Sequence, residues 1–292
     1  MDSSSPSYMQ CLSCPHERHA LEHVSVPEGA TISTTTSVAR LGDGSVRVDY
    51  QALHQFVQKN TPFVSPSDTG AVITTSKLGG FAGQVTVNVA TNGRNVNVFL
   101  FHNGSVKCTG VDHPRTGVRA LHALLEICKA AGVLKCQDPT SCKVERYRTV
   151  NINSAFHLNY EVDRTALFKL LKLDYNLLSL YDPTQYPGVN TKYFYNVFNR
   201  IRDGRCHCCD DNEDSNRTHC VSRKGDGNSR YACRRITVTV FRSGIIIFTG
   251  ARNYSQLRDA FECITGICSR HMDSIRMMEF NLVPDADWQL KN

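Results

Sequence analysis

The sequence predicts an α+β fold: two pseudo-repeats that form one curved antiparallel sheet, a saddle, with helices on its convex face. Three observations predict it. The ten-residue pattern F-x-x-G-x-x-x-x-T-G occurs twice, from Phe101 to Gly110 and from Phe241 to Gly250. A stretch with apolar residues at helical spacing follows each copy. A second helix start precedes each copy at a distance, at Asp49 and at Asp163. Self-similarity at this scale marks one fold unit used twice.

The second copy shows the local logic. "ITVTV" alternates strictly and reads as a strand, and "IIIFT" reads as its partner. Gly244 closes a three-residue loop with Arg242 and Ser243, the left-handed position of such a turn. That register pairs Phe241 with Ile245, Thr239 with Ile247 and Thr237 with Thr249. Alternation then sorts Ile236, Val238, Val240, Ile246 and Phe248 to one face, and Thr237, Thr239, Phe241, Ile247 and Thr249 to the other. In the first copy Val96, Val98, Leu100, Val106 and Cys108 form the apolar face, opposite Asn97, Phe99, Phe101, Lys107 and Thr109.

Helices cover the apolar faces. Leu121, Leu124, Leu125 and Cys128 recur at helical spacing after the first hairpin, with Gly132 as the stop. Phe261, Ile264, Ile267 and Cys268 do so after the second. Asp49 caps a helix carrying Leu53, Phe56 and Val57, and Asp163 caps one carrying Leu167, Leu170 and Leu171. The early helices lie closer together in sequence than the hairpins do. The second copy therefore carries a net insertion, placed at about 202–235, a Cys-, Asp- and Gly-rich stretch without periodicity. The expected organisation is an N-terminal extension over 1–28, a first repeat over 29–146, a second over 147–272 and a tail over 273–292.

The chain has 292 residues, 41% hydrophobic and 21% charged, which suits a globular protein with a sizeable core. Its net charge of +6 suits a polyanionic partner. The start, "MDSSSPSYMQ", lacks the apolar core of a signal peptide. No stretch approaches the ~20 apolar residues of a membrane span. An intracellular, non-secreted protein with no membrane partner is expected, its 13 cysteines reduced or metal-bound. A phosphate-binding glycine loop, an H-E-x-x-H motif and a nucleophile elbow are all missing, so no enzyme and no small-molecule substrate is expected.

The face with Phe, Thr, Asn and Lys is neither a solvated face nor a core face, and its phenylalanines need a cover, either a bound partner or a second sheet or subunit that buries them. At these residues the chain resembles the TATA-box-binding protein family. The resemblance covers most of 29–272 and is carried by both hairpins, by "SLYDPTQYPGV" at 179–189 and by "RRITVTVFRSGIIIFTGARN". It implies a concave sheet lying in the minor groove of double-stranded, A·T-rich DNA, bent by inserted aromatic wedges, and a role in transcription initiation. By position it implies Phe101 and Phe241 as hairpin wedges with Phe81 and Tyr186 as their mates. Thr109 and Thr249 then face bases near the centre, with Asn151 beside them, while the equivalent first-half position falls in "TISTTTS" with Ser or Thr. Phe99, Lys107, Thr239 and Ile247 complete the implied DNA-binding set. The implied partners are transcription factors or RNA polymerase components.

The departures are informative. Lys107 stands where the family has an apolar residue, and Thr239 where it has leucine. The lysine after the hairpin glycine is replaced by Ser105 and Ile245. On the outer edge Asp182 is retained, whereas Thr184 and Gln185 replace an acid and a leucine that hold a B-type initiation factor. This pattern is similar to TATA-binding-protein-like proteins of large DNA viruses, which implies a nucleus or a viral replication compartment. The alternative is a protein-interaction scaffold of the same fold that has lost DNA binding.

No cofactor is required by this reading, but the cysteines offer structural zinc. Cys206, Cys209, Cys220 and Cys233 supply four thiols with one C-x-x-C, and His207, Cys208 and His219 compete as ligands; the alternative is an acidic loop with free thiols. Cys11, Cys14, His16 and His19 form a compressed second set, a metal site or an unstructured tail. Cys108, Cys128, Cys263 and Cys268 fall on core-facing or helical positions and are packing residues.

Overall fold

The computed structural model describes residues 26–68, 70–79, 83–208, 225–229 and 232–277. The first half runs β1 (Thr31–Leu41), β2 (Arg47–Val48), α1 (Tyr50–Asn60), β3 (Phe63–Val64), β4 (Ala71–Leu78), β5 (Gln84–Thr91), β6 (Arg94–Phe101), β7 (Ser105–Val111), α2 (Pro114–Ala130) and β8 (Leu134–Lys135). The second runs β9 (Val144–His157), α3 (Arg164–Lys169) with a π-helical turn (Leu170–Asp174), β10 (Leu178–Leu180), β11 (Val189–Tyr195), β12 (Arg234–Val240), β13 (Ile245–Ala251), α4 (Tyr254–Arg270) and α5 (Met272–Ile275). Among the described residues no helix is long and apolar enough to cross a membrane.

Eleven strands form one curved, open antiparallel sheet in the order β10-β11-β12-β13-β9-β1-β7-β6-β5-β4-β3. The order is a palindrome of equivalent strands about the β1–β9 pair, plus β3 as an extra edge in the first half. The pairing itself is two-fold symmetric. Thr34↔Asn153 and Thr36↔Asn151 are images of each other, as are Thr31↔Ala155 and Val38↔Arg148, and Thr35↔Ile152 lies on the pseudo-dyad.

Both hairpins have the expected register. Thr237 pairs with Thr249 and Thr239 with Ile247, as Asn97 pairs with Thr109 and Phe99 with Lys107. The turn glycines adopt φ of 76° at Gly104 and 83° at Gly244, and each amide donates to the preceding Phe carbonyl at 3.0 Å. A side chain at either position would be strained.

The early helices begin at their expected caps. Asp49 Oδ1 accepts from Ala52 N at 3.1 Å, and Asp163 Oδ1 accepts from Thr165 N at 2.8 Å and Ala166 N at 3.1 Å. The apolar face of each half is buried under its helices, giving one core per half. In the first, Val96, Val98 and Leu100 pack with Leu121, Leu124 and Ile127. In the second, Ile236, Val238 and Phe248 pack with Leu257, Phe261 and Ile264.

The insertion is longer than expected. In the first half β5 and β6 are joined by Asn92 and Gly93 alone, with φ of 51° and 70°, a tight two-residue hairpin turn. In the second half the equivalent link runs over residues 196–233, so it begins before 202 and ends where β12 starts.

Phe248 and Cys108 occupy equivalent core positions, and Phe248 is fully buried with its ring centroid 5.7 Å from that of Phe261. Phe248→Ala is expected to lower the unfolding free energy by about 3–5 kcal/mol, because the cavity lies where two elements cannot collapse together. Chemical denaturation monitored by circular dichroism checks this, and a loss below ~1 kcal/mol would contradict the packing described.

Candidate nucleic-acid interface

The face opposite the helices is built from alternate residues of the sheet. Across its eleven strands the acidic residue is Glu145, near the start of β9; the cations are Arg40, Lys77, Arg94, Lys107, Arg146, Arg148, Lys192, Arg234 and Arg235. The chain's other described carboxylates lie on helices and loops. A sheet depleted of acid favours an anionic ligand over a neutral one.

At the second-half end, Tyr186 and Phe241 form a ring pair with centroids 6.0 Å apart and planes at 57°. Tyr186 is 46% exposed, and Phe241 is half-buried. The pair is set by backbone. A Cβ at Gly188 would collide with Thr239 Cγ2 and crowd both rings, so only glycine permits the arrangement. The segment carrying Tyr186 is a capped turn. Asp182 Oδ1 accepts from the Thr184 hydroxyl at 2.7 Å and from Thr184 N at 3.0 Å, and the Asp182 carbonyl accepts from Gln185 N and Tyr186 N. Those two Thr184 donors, the hydroxyl first, hold the Asp182 carboxyl below its ordinary value. Arg164 closes the segment from the helix side, donating to Pro187 O at 2.6 Å and lying over the Tyr181 ring. Asp182, Thr184 and Gln185 are all exposed on this turn.

At the first-half end Phe101 is half-buried at the close of β6. Its implied mate Phe81 lies outside the described residues. Phe99 is half-buried, and the Lys107 ammonium sits 5.6 Å from its ring centroid. Lys107 pairs regularly with Phe99 and with Val38, so it belongs to the open face and not to a bulge. Ile247, its second-half equivalent, is 37% exposed.

The centre is a polar network around the pseudo-dyad. The Thr249 hydroxyl donates to Asn153 Oδ1 at 2.6 Å, Asn151 Nδ2 donates to the same oxygen at 2.8 Å, and Gly250 N donates to Asn151 Oδ1 at 2.8 Å. Gly110 N donates to Thr34 Oγ1 at 3.1 Å, which makes Thr34 the first-half counterpart of Asn151. Thr109 and Thr249 are half-buried beside it.

Thr239 departs from expectation. It is 5% exposed, packed under Gly188, and its hydroxyl faces Asn190 Nδ2 at 3.4 Å. It supports the ring pair and does not offer a contact surface. Conversely, Asn190, Lys192 and Asn153 belong to the open face and were not singled out by the sequence. The alternation in "VNTKYFY" carries the signal for the first two. Lys192 Nζ donates to Asn190 Oδ1 at 2.6 Å and to Thr237 Oγ1 at 2.9 Å. Its burial, with the charge of Arg235, lowers its pKa from the ordinary lysine value.

Of the expected metal ligands, Cys206 and Cys233 come together, joined by Cys208, within 4.8 Å of one another. Cys209, Cys220 and His219 lie outside the described residues, as do Cys11, Cys14, His16 and His19.

No family model matches the chain. It is similar to a "TATA-box-binding protein-like" protein of Acanthamoeba polyphaga mimivirus, at 29% identity over 212 residues, 68% of this chain and 50% of the relative. The chain thus spans about half the length of the curated relative it matches. A solved structure, "Methanococcus jannaschii TBP", aligns over 82% of this chain and 98% of its own at 15% identity, with a TM-score of 0.42. The family resemblance read from the two hairpins and the Y-D-P-T-Q-Y-P-G segment is matched by the viral relative.

Gly188→Val is expected to drive the Tyr186 and Phe241 rings apart while leaving the opposite, helix-covered core in place. Loss of the inter-ring nuclear Overhauser contacts with an unchanged far-ultraviolet circular dichroism spectrum is the outcome to look for. Retention of those contacts would show that backbone clearance at 188 does not set the pair.

Proposed function

We propose that this chain binds double-stranded DNA in the minor groove, prefers A·T-rich sites and bends them, and so acts as a transcription initiation factor that positions other proteins without chemistry of its own. The observation that carries the reading is the open sheet face, poor in acid, with aromatic rings at the hairpin ends. The viral relative's name supports it.

The geometry gives each group a task. Phe101 and the Tyr186–Phe241 pair enter between base steps; unstacking costs a few kcal/mol, offset by the surface that bent DNA brings into contact. Flexible T-A steps deform at least cost, which supplies part of the site preference. In the minor groove an A·T pair shows only acceptors, adenine N3 and thymine O2. Asn153 Oδ1 already takes two hydrogen bonds. Its Nδ2 is therefore the donor end left to meet such an acceptor. Lys107 and Lys192 place ammonium groups toward phosphates or base acceptors, and Ile247 supplies apolar contact. The exposed Asp182–Gln185 turn serves as the docking edge for transcription factors or polymerase components. The nucleus or a viral replication compartment is the proposed place of action.

Gel-shift and fluorescence assays on an A·T-rich duplex at low salt test the reading. Wild-type protein should bind and bend the duplex, and Phe101→Ala and Phe241→Ala should each cost about 1–3 kcal/mol of affinity, as lost base–aromatic stacking does. Failure of the wild-type protein to bind duplex DNA, or full bending by both variants, would overturn it in favour of a protein-interaction scaffold.

Lys192 adds a pH signature. Its pKa is lowered in the free protein, and an approaching phosphate restores it toward the ordinary lysine value. Between the two values the complex binds more protons than the free protein does, so affinity should fall as pH rises through that alkaline window. Binding isotherms across the window should show this fall for wild-type protein and a smaller one for Lys192→Met. Equal slopes would remove Lys192 from the interface.

A further inference from the structure

The three-cysteine cluster has no part in the reading above, and it stands whether or not the face binds DNA. Its sulfurs come from two segments, the start of the 196–233 connection and its end. Cys206 Sγ lies 3.2 Å from Cys208 Sγ and 3.7 Å from Cys233 Sγ, and Cys208 and Cys233 are 3.4 Å apart. A disulfide would bring a pair to about 2.05 Å. A tetrahedral zinc ion with Zn–S near 2.3 Å places its sulfurs about 3.8 Å apart. The observed triangle lies close to the second figure and far from the first.

The surroundings argue against ordinary packing. Cys233 is fully buried and Cys208 is 7% exposed, and among the described residues they group with Phe194 and Cys206, apart from the two large apolar cores. The packing cysteines look different. Cys108 and Cys268 belong to the two large apolar cores, and burial raises each of their thiols to about 12. The backbone around the cluster is also held. Phe194 N donates to Gly204 O at 2.9 Å, and Gly204, at φ 85°, packs against Leu177 and Tyr193 where a Cβ would not fit. His207, between two of the cysteines, directs Nε2 to Asp203 Oδ1 at 2.8 Å, and Arg205 N donates to the same oxygen at 3.0 Å. This loop is shaped to keep two sulfurs pointing at a third.

We propose that Cys206, Cys208 and Cys233 are thiolate ligands of a structural zinc ion that ties residues 206–208 to residue 233 beside Phe194. The placement follows from strand parity. Phe194 alternates with Asn190 and Lys192, opposite Val189, Tyr193 and Tyr195, which belong to the second-half core. The cluster that covers Phe194 therefore stands on the side of the sheet that carries Lys192 and Phe241. Zinc binding releases the thiol protons, so loading is weaker at acidic pH.

The test uses the full chain expressed with zinc and purified under reducing conditions without chelator. Elemental analysis should find one zinc per chain. Cys206→Ser, Cys208→Ser and Cys233→Ser should each lose it, whereas Cys263→Ser, on α4, should keep it. Because a variant that misfolds also loses metal, a second measurement uses wild-type protein alone. Cobalt exchanged into the site should give the intense sulfur-to-cobalt charge-transfer bands of a thiolate-rich tetrahedral centre. A wild-type chain that takes up neither zinc nor cobalt overturns the proposal. So does a zinc content that the Cys208→Ser, Cys233→Ser double variant leaves equal to that of the wild-type chain, or a Cys206–Cys208–Cys233 set found oxidised to a disulfide by mass spectrometry of the purified protein.

Discussion

The pairing of β1 with β9 is the constraint on which the rest of the molecule depends. Each half has its own core and its own helices, and this strand pair joins their open faces into a single surface. The symmetry of the pair is strict at its centre, where Thr35 and Ile152 are both 3% exposed on the axis. On either side the ladder slips, between Thr35 and Ser37 against β7 and between Thr249 and Ala251 against β9. Each slip leaves a glycine amide without a strand partner. Thr34 accepts one and Asn151 the other. An unsatisfied buried amide costs about 1–3 kcal/mol, so these two side chains hold the junction before they do anything else.

The two halves share a skeleton but not a surface. The cation of the first half is Lys107 on β7, exposed over the Phe99 ring. The cation of the second is Lys192 on β11, half-buried and tied to Asn190 and Thr237. Ile247 stands where the first half has Lys107, and Thr239 where it has Phe99. A ligand on this face therefore meets an exposed charge beside a ring in one half, and a half-buried, hydrogen-bonded charge in the other. Such asymmetry gives a pseudo-symmetric face a direction.

Much of this was legible in the sequence because strands and hairpins are short-range objects. The alternation in "ITVTV", the turn glycines Gly104 and Gly244, and the caps Asp49 and Asp163 each act within a few residues, and all stand where the pattern placed them. What was not legible depends on contacts across the sheet. Thr239 alternates with exposed positions, yet Gly188 of the neighbouring strand seals it. Asn153 lies two residues from Asn151, and only the pairing with Thr249 reveals it as the hub of the network. Cys208 offered no spacing signal beyond that of a competing ligand, and only the fold brings its sulfur to 3.4 Å from that of Cys233, 25 residues away; Cys209 lies outside the described residues. The connection 196–233 begins earlier than its composition suggests, since residues 196–201 carry ordinary side chains in a non-repeating path.

The open face is not open everywhere, and this limits what can lie on it. Phe194 shows the consequence of closure: a ring on the same side as Phe241 is 5% exposed because the chain's own cysteines cover it. Phe99, Phe101 and Phe241 remain half-buried, and Tyr186 and Ile247 more exposed still. At about 25 cal/mol per Å² of apolar surface, leaving such groups in water is unfavourable and rewards any partner that covers them. A partner is therefore directed to the strip from the Tyr186–Phe241 pair across the polar centre to Phe101, and away from Phe194, which the cysteines already cover. In the first half the equivalent link is the two-residue turn at Asn92 and Gly93, and among the described residues no cysteine cluster lies at the equivalent place. The cysteine cluster over Phe194 thus gives the face a direction, as the two cations do.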